Sequence, residues 1–139
     1  MKFNPIIMVA GEPNSIFLEI FFKVLKKIKV KSPIILIASV KILKLQMKKL
    51  KFKKKIKILN LNNLFENNLN NNCINLIDVD YKSNVAFEKI SNKSNKYISK
   101  CFDIAFEILK TKKLNKFING PIAKKTFLKK KYLGITEYI

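Results

Sequence analysis

The chain has 139 residues, about one domain's worth, and 48% of them are apolar, enough for a core and too many for global disorder. Its formal net charge is +20, from 29 lysines with no arginine and no histidine. Without histidine, the usual zinc catalysis and Ser-His or Cys-His nucleophilic catalysis lack their residues here, so a general acid or base must be Lys, Asp, Glu, Tyr or Cys.

Residues 5–10, PIIMVA, form an apolar run ending at Gly11 and predict a strand buried on both faces. GEPNS is a turn, with Ser15 as the expected N-cap of a helix over IFLEIFFKVLKKI. Its apolar residues Phe17, Phe21, Val24 and Ile28 recur at helical spacing. Ser32 and Pro33 open a second buried strand, PIILIAS. VKILKLQMKKL then predicts a short helix, with Val40, Leu43, Met47 and Leu50 on one face. In KFKKKIKILNL the alternation Lys55-Ile56-Lys57-Ile58 predicts a strand with one solvated face, and its lysines protect an edge against aggregation.

Residues 62–72, NNLFENNLNNN, are low in complexity and predict a surface loop with no packed role required. INLIDVD is a fourth strand, with Asp78 and Asp80 on one face. Two acids without further ligands read as a strand end rather than a metal site. The longest helix is expected within residues 83–113, with Tyr97, Cys101, Ala105, Ile108 and Leu109 on its apolar face. Cys101 belongs to that stripe and reads as a core thiol. Lys116 to Asn119 is the last strand candidate, broken by Gly120 and Pro121. Pro121 suits the first turn of a helix that carries Lys124 and Lys125. Gly134 then turns the chain into Thr136 and Glu137. All three glycines are expected where a strand gives way to a turn or helix, the place where α/β proteins hold ligands. The element order predicts an α/β sandwich with a mainly parallel sheet.

Two motifs carry a resemblance to a known family. Gly120-Pro121-Ile122-x-Lys124, followed about ten residues later by Gly134-x-Thr136-Glu137, resembles the 4-hydroxythreonine-4-phosphate dehydrogenases of pyridoxal phosphate synthesis. The family's second motif normally reads Gly-His-Thr-Glu, and Ile135 stands in place of the histidine. The first turn resembles the family's Gly-Asp/Glu-Pro-x-Gly-Ile-Gly-Pro-Glu at Gly11, Glu12, Pro13, Ile16 and Glu19. Ser15 and Phe17 replace its glycines and Leu18 its proline.

The resemblance implies an isocitrate/isopropylmalate dehydrogenase-like αβα sandwich, incomplete in this chain. Residues 1–139 would be the N-terminal α/β portion of a longer two-domain enzyme, since family members run roughly twice this length, beyond a typical single domain. It further implies NAD and a divalent metal as cofactors and a homodimer in the full-length protein. The small phosphorylated substrate would be 4-phosphooxy-L-threonine, oxidised and decarboxylated. Thr136, Ile135 and Lys124 are the substrate-binding positions carried over. The family's metal histidines fall beyond residue 139, so the chain alone is expected to be inactive.

The competing reading is a non-catalytic, lysine-rich module that binds polyanions. Against it, arginine is absent, and Lys, Asn, Ile and Phe are abundant throughout, as codon bias in an AT-rich genome produces. Nucleic acid is therefore not the expected partner. No run approaches the roughly 18 apolar residues of a membrane span. MKFNPIIMVAGEP lacks the pattern of a secretory leader, and two cysteines far apart suit a reducing compartment. Together these features predict a cytoplasmic protein.

Overall fold

A computed structural model describes residues 3–129 and 131–139. Five strands form one sheet: β1 (Ile6–Val9), β2 (Ile34–Ala38), β3 (Ile56–Ile58), β4 (Ile74–Asp78) and β5 (Lys116–Asn119). Their order is β3-β4-β2-β1-β5, and every pairing is parallel. The helices are α1 (Phe17–Lys27), α2 (Val40–Lys49), α3 (Asn95–Lys110) and the single turn α4 (Ile135–Tyr138). The crossovers β1 to β2 and β2 to β3 run toward one edge, and β4 to β5 runs back across the sheet. Right-handed crossovers then place α1 and α2 on one face and α3 on the other. The predicted parallel αβα sandwich is what forms. Among the described residues no helix is long and apolar enough to cross a membrane.

Central burial follows from this layering. All five residues of β2 are buried, because the strand has neighbours on both sides and helices on both faces. β3 lies at an edge as its lysines suggest, but the expected alternation is not kept: Ile56 and Lys57 are half-buried and Ile58 is exposed, because an edge strand has only one neighbour to cover it. Along α3 the buried residues are Tyr97, Ile98, Cys101, Phe102, Ala105 and Ile108: the expected stripe widened by Ile98 and Phe102 beside it, with Leu109 half-buried at its margin. Burial pushes the Cys101 thiol up to about 12, so it stays protonated and inert as a core residue.

Several local expectations shift. α1 begins at Phe17, and Ile16 before it offers no side-chain cap. The Ser15 hydroxyl instead accepts the Phe17 N–H at 3.2 Å. The buried face of α2 is Ile42, Leu43, Gln46 and Met47, rotated from the expected one, with Val40 and Leu50 half-buried at its margins. The rotation follows from Gln46, which reaches across to donate to the Pro13 carbonyl at 2.8 Å. Ser39 caps α2, and Asp78 at the end of β4 also accepts the Val40 N–H, at 2.8 Å. That bond gives the outward carboxylate a structural use.

The Asn-rich segment does more packing than its composition requires. A short 3-10 stretch, Leu61–Glu66, drives Leu64 into the core. Asn71 accepts the Ile34 N–H at 3.0 Å and donates to the carbonyls of Val30 and Ser32 at 2.9 and 2.8 Å. One amide thus satisfies three backbone groups where β2 begins, groups that no strand partner reaches. Buried Asn75 in β4 donates to the carbonyls of Ile34 and Asn70. An asparagine fits these positions because it carries donor and acceptor on one short stem.

Phe102 organises the far side of the sheet. Its ring meets Phe106, Phe117, Phe127 and Tyr138 at centroid separations of 5.4 to 6.5 Å. These rings dock the carboxyl-terminal segment onto α3. Phe102→Ala should therefore cost about 3 to 5 kcal/mol, the range for a buried phenylalanine, and Asn71→Ala about 1 to 3 kcal/mol for its unmade bonds. Urea denaturation followed by circular dichroism measures both; a loss below about 1 kcal/mol for Phe102→Ala would contradict its central place.

Candidate functional site

β1 and β5 pair in parallel, and their last residues, Val9 and Asn119, lie side by side. Both chains then reach a glycine. The Gly120 N–H donates to the Val9 carbonyl at 2.7 Å, and the Glu12 N–H donates to the Pro121 carbonyl at 2.8 Å. The two turns pass so closely that a Cβ on Gly11 would run into the Pro121 carbonyl oxygen, and one on Gly120 into the Ala10 carbonyl oxygen. Gly11 also has φ +74°, a conformation other residues rarely adopt. Sequence order alone makes these two turns over a hundred residues apart; the sheet stitches them into one.

A polar cluster sits beside the stitch. Glu12 is buried at 2% exposure. Its carboxylate accepts from the Ser94 hydroxyl at 2.7 Å and from the Asn14 N–H at 3.2 Å. Asn14 in turn accepts the Glu88 N–H at 3.0 Å and reaches the Tyr81 hydroxyl at 3.5 Å. Glu88 accepts from Lys93 at 3.1 Å and from Ser83 at 2.9 Å, which holds its carboxyl below the usual range. Burial raises Tyr81, and it raises Tyr97 further, so both phenols remain protonated. The long connection from β4 to α3 is thereby pinned over the first turn.

On sequence, Glu12 has no role beyond a motif match, and Asn14, at a variable position of that motif, has none. The available signal was an acid placed directly after a buried strand, where a carboxylate needs partners.

The last expected site residues fall on a different local structure from the one anticipated. Pro121 opens no regular helix, because its carbonyl is taken by Glu12. Instead Lys124–Leu128 makes one wide turn of π type, ended by Lys129 in the left-handed conformation at φ 48°. Gly134 follows no strand; it lies in extended backbone at φ −161° and leads into α4. Lys124 and Thr136 are exposed, and Ile135 is half-buried against the core. Phe127 and Tyr138 stack edge to face at 5.1 Å between centroids, which sets the Lys124 turn and α4 side by side. Asn95 at the start of α3 donates to the Thr126 carbonyl at 2.7 Å and fixes that turn.

The residues present do not form a metal centre. Among the described residues there is no group of three or more Cys, Asp or Glu side chains that could hold an ion, and the chain has no histidine. Nor does the first turn make a dinucleotide cradle. The space beside Gly11 is filled by the Pro121 carbonyl, and the Phe17 ring stands against Gly120. The Phe17 N–H is already bonded to Ser15. A pyrophosphate at a helix start needs room beside open backbone N–H groups, and the joined turns take up that room at Gly11 and Gly120.

No protein-family model matches the sequence, and no curated protein does. Among solved structures, the chain is similar to a 4-hydroxythreonine-4-phosphate dehydrogenase from Burkholderia phymatum. The TM-score is 0.82 at 20% identity, over 97% of this chain and 42% of that one. A 4-hydroxythreonine-4-phosphate dehydrogenase from Klebsiella pneumoniae gives a TM-score of 0.80 at 18% identity, over 96% of this chain and 42% of that one. The chain thus spans less than half the length of these structures. At such identity the likeness shows the fold, and the family of these structures is the one the two motifs resemble.

The glycine stitch makes a direct prediction. Gly120→Ala should destabilise the chain by more than about 2 kcal/mol, since a methyl there meets rigid backbone. Gly134→Ala should stay within about 0.5 kcal/mol, because its only close neighbour among the described residues is the movable Glu137 carboxylate at 3.2 Å. Equal unfolding midpoints for the two variants would contradict the geometry.

Proposed function

We propose that this chain supplies the substrate-holding edge of a dehydrogenase of the 4-hydroxythreonine-4-phosphate class. The single observation behind this reading is the joining of the Gly11 turn to the Gly120 turn by two backbone hydrogen bonds and two close glycine contacts. The first turn and the Gly-Pro-Ile motif, two of the three stretches that carry the family resemblance, are therefore one structure, at the carboxyl edge of a parallel sheet, where α/β folds bind ligands.

In this reading Lys124 and Thr136 hold the phosphorylated substrate. The ammonium of Lys124 attracts a phosphate or carboxylate, and the Thr136 hydroxyl donates to it. The ion pairs among the described residues are Lys23–Glu19 and Lys93–Glu88, which leaves the Lys124 charge for a ligand. Ile135 cannot make the hydrogen bond of the family's histidine; packed against the core, it holds α4 in place and orients Thr136. The hydride acceptor and metal of the proposed reaction, NAD and a divalent ion, find no fitting residues among those described. The proposal covers substrate recognition, with oxidation and decarboxylation of 4-phosphooxy-L-threonine as the reaction it would serve.

The polyanion reading gains little from the fold. Lysines lie at both ends of the sheet, Lys29, Lys31 and Lys113 at one and Lys124 and Lys125 at the other, with Lys54 and Lys57 at the β3 edge. No single track emerges.

Substrate binding can be followed by NMR titration of the chain with 4-phosphooxy-L-threonine. The amide signals of Lys124 and Thr136 should shift together. Thr136→Val, which keeps the shape and removes the hydroxyl, should weaken binding by about 1 to 3 kcal/mol. Unchanged affinity in a folded Thr136→Val variant would sink the assignment.

A further inference from the structure

A wide cavity lies at the opposite end of the sheet. Phe3 and Pro5 precede β1, Lys31 and Pro33 precede β2, Asn72 precedes β4 and Leu114 precedes β5, so all border the amino ends of the strands. The cavity measures about 640 Å³, within the usual range for small-molecule sites. Its floor is apolar and fixed: Ile35, Leu64 and Leu114 are buried. The Asn71 clamp on three backbone groups holds its wall in place.

The rim has a distinct chemistry. Lys29, Lys31 and Lys113 line it, and no acidic side chain does. Two phenylalanine rings stand open at its sides, Phe3 at 42% and Phe65 at 44% exposure. A lysine ammonium rests over each: Lys31 over Phe3 at 5.8 Å, and Lys113 over Phe65 at 4.5 Å. Partly exposed aromatic rings on a cavity wall offer a surface on which a flat ligand can stack. A cation held beside a ring offers a counter-charge and a stacking plane within one ligand's width. The neighbouring asparagines Asn67, Asn68 and Asn70 add donors and acceptors able to read a polar ring edge.

We propose that this cavity binds a small anion carrying a flat aromatic body, the chemistry of a mononucleotide. The site is separate from the carboxyl-edge site and does not depend on the function proposed there. The anion meets Lys113 and Lys31, and the ring lies against Phe65.

The test is calorimetric titration of the 139-residue chain with adenosine 5′-monophosphate at low ionic strength. Inorganic phosphate and adenosine serve as partial probes. The nucleotide should bind at least about tenfold tighter than either part alone, a difference of about 1.4 kcal/mol. Lys113→Gln and Phe65→Leu alter exposed side chains, so the fold is not at risk. Each should weaken nucleotide binding by about three- to tenfold. Lys44→Gln, exposed on α2 and outside the cavity lining, should leave it unchanged. Phosphate binding as tightly as the nucleotide would overturn the proposal, because the rings then contribute nothing. So would unaltered affinity in Lys113→Gln and Phe65→Leu, or an equal loss in Lys44→Gln, which would mark a diffuse attraction to a cationic surface.

Discussion

The architecture depends on the close passage of two backbones. Where β1 and β5 end, Gly11 and Gly120 let the chains approach to a distance that no side chain permits. Two hydrogen bonds, Gly120 to Val9 and Glu12 to Pro121, then close the contact. The consequences spread outward. Glu12 is carried into the interior, where its carboxylate must be satisfied, and Ser94 and Asn14 satisfy it. Asn14 gathers in the connection that leads to α3. Pro121, with its carbonyl engaged, sends the chain into a wide turn rather than a helix. The edge that could hold a ligand is therefore a product of one backbone constraint.

Around that constraint the energetics are ordinary for an α/β domain. The drive comes from burying β2 on both faces and the stripe of α3, with Phe102 collecting the rings of the carboxyl-terminal segment. Against it stands a net charge of +20, whose self-repulsion lowers the stability of any compact state. Two ion pairs among the described residues offset very little of this, since both are exposed. Asparagine amides do part of the work that ion pairs do elsewhere: Asn71 and Asn75 each satisfy buried backbone groups at the edge of the core.

Periodicity made the layers legible. Continuous apolar runs marked β1, β2 and β4, and helical spacing marked α1 and α3, because burial leaves a direct imprint on sequence; yet β1 is fully buried on one face only, and the buried face of α1 is Leu18, Phe21 and Phe22, rotated from the expected Phe17, Phe21, Val24 and Ile28, of which Ile28 is exposed. The rotated face of α2 was not legible. Gln46 reads as polar, yet it is buried because a carbonyl of the first turn, distant in sequence, accepts its amide. The packing of the Asn-rich segment was hidden for a related reason, since low complexity conceals the one asparagine whose partners converge. At the candidate site, the glycines and Thr136 could be singled out by motif. The Glu12 cluster could not, because its partners come from an irregular connection that leaves no periodic signal. The wide turn at Lys124 was missed because Pro121 suits a helix start locally, and a tertiary bond to its carbonyl decides otherwise.

The most direct measurement of the central claim is hydrogen exchange at the stitch. The amides of Gly120 and Glu12 donate to carbonyls in the joined turns, so they should exchange only when the whole domain opens, alongside the amides of β2. Exchange at the rate of exposed turns, while β2 stays protected, would show the two turns parting freely and would contradict the account.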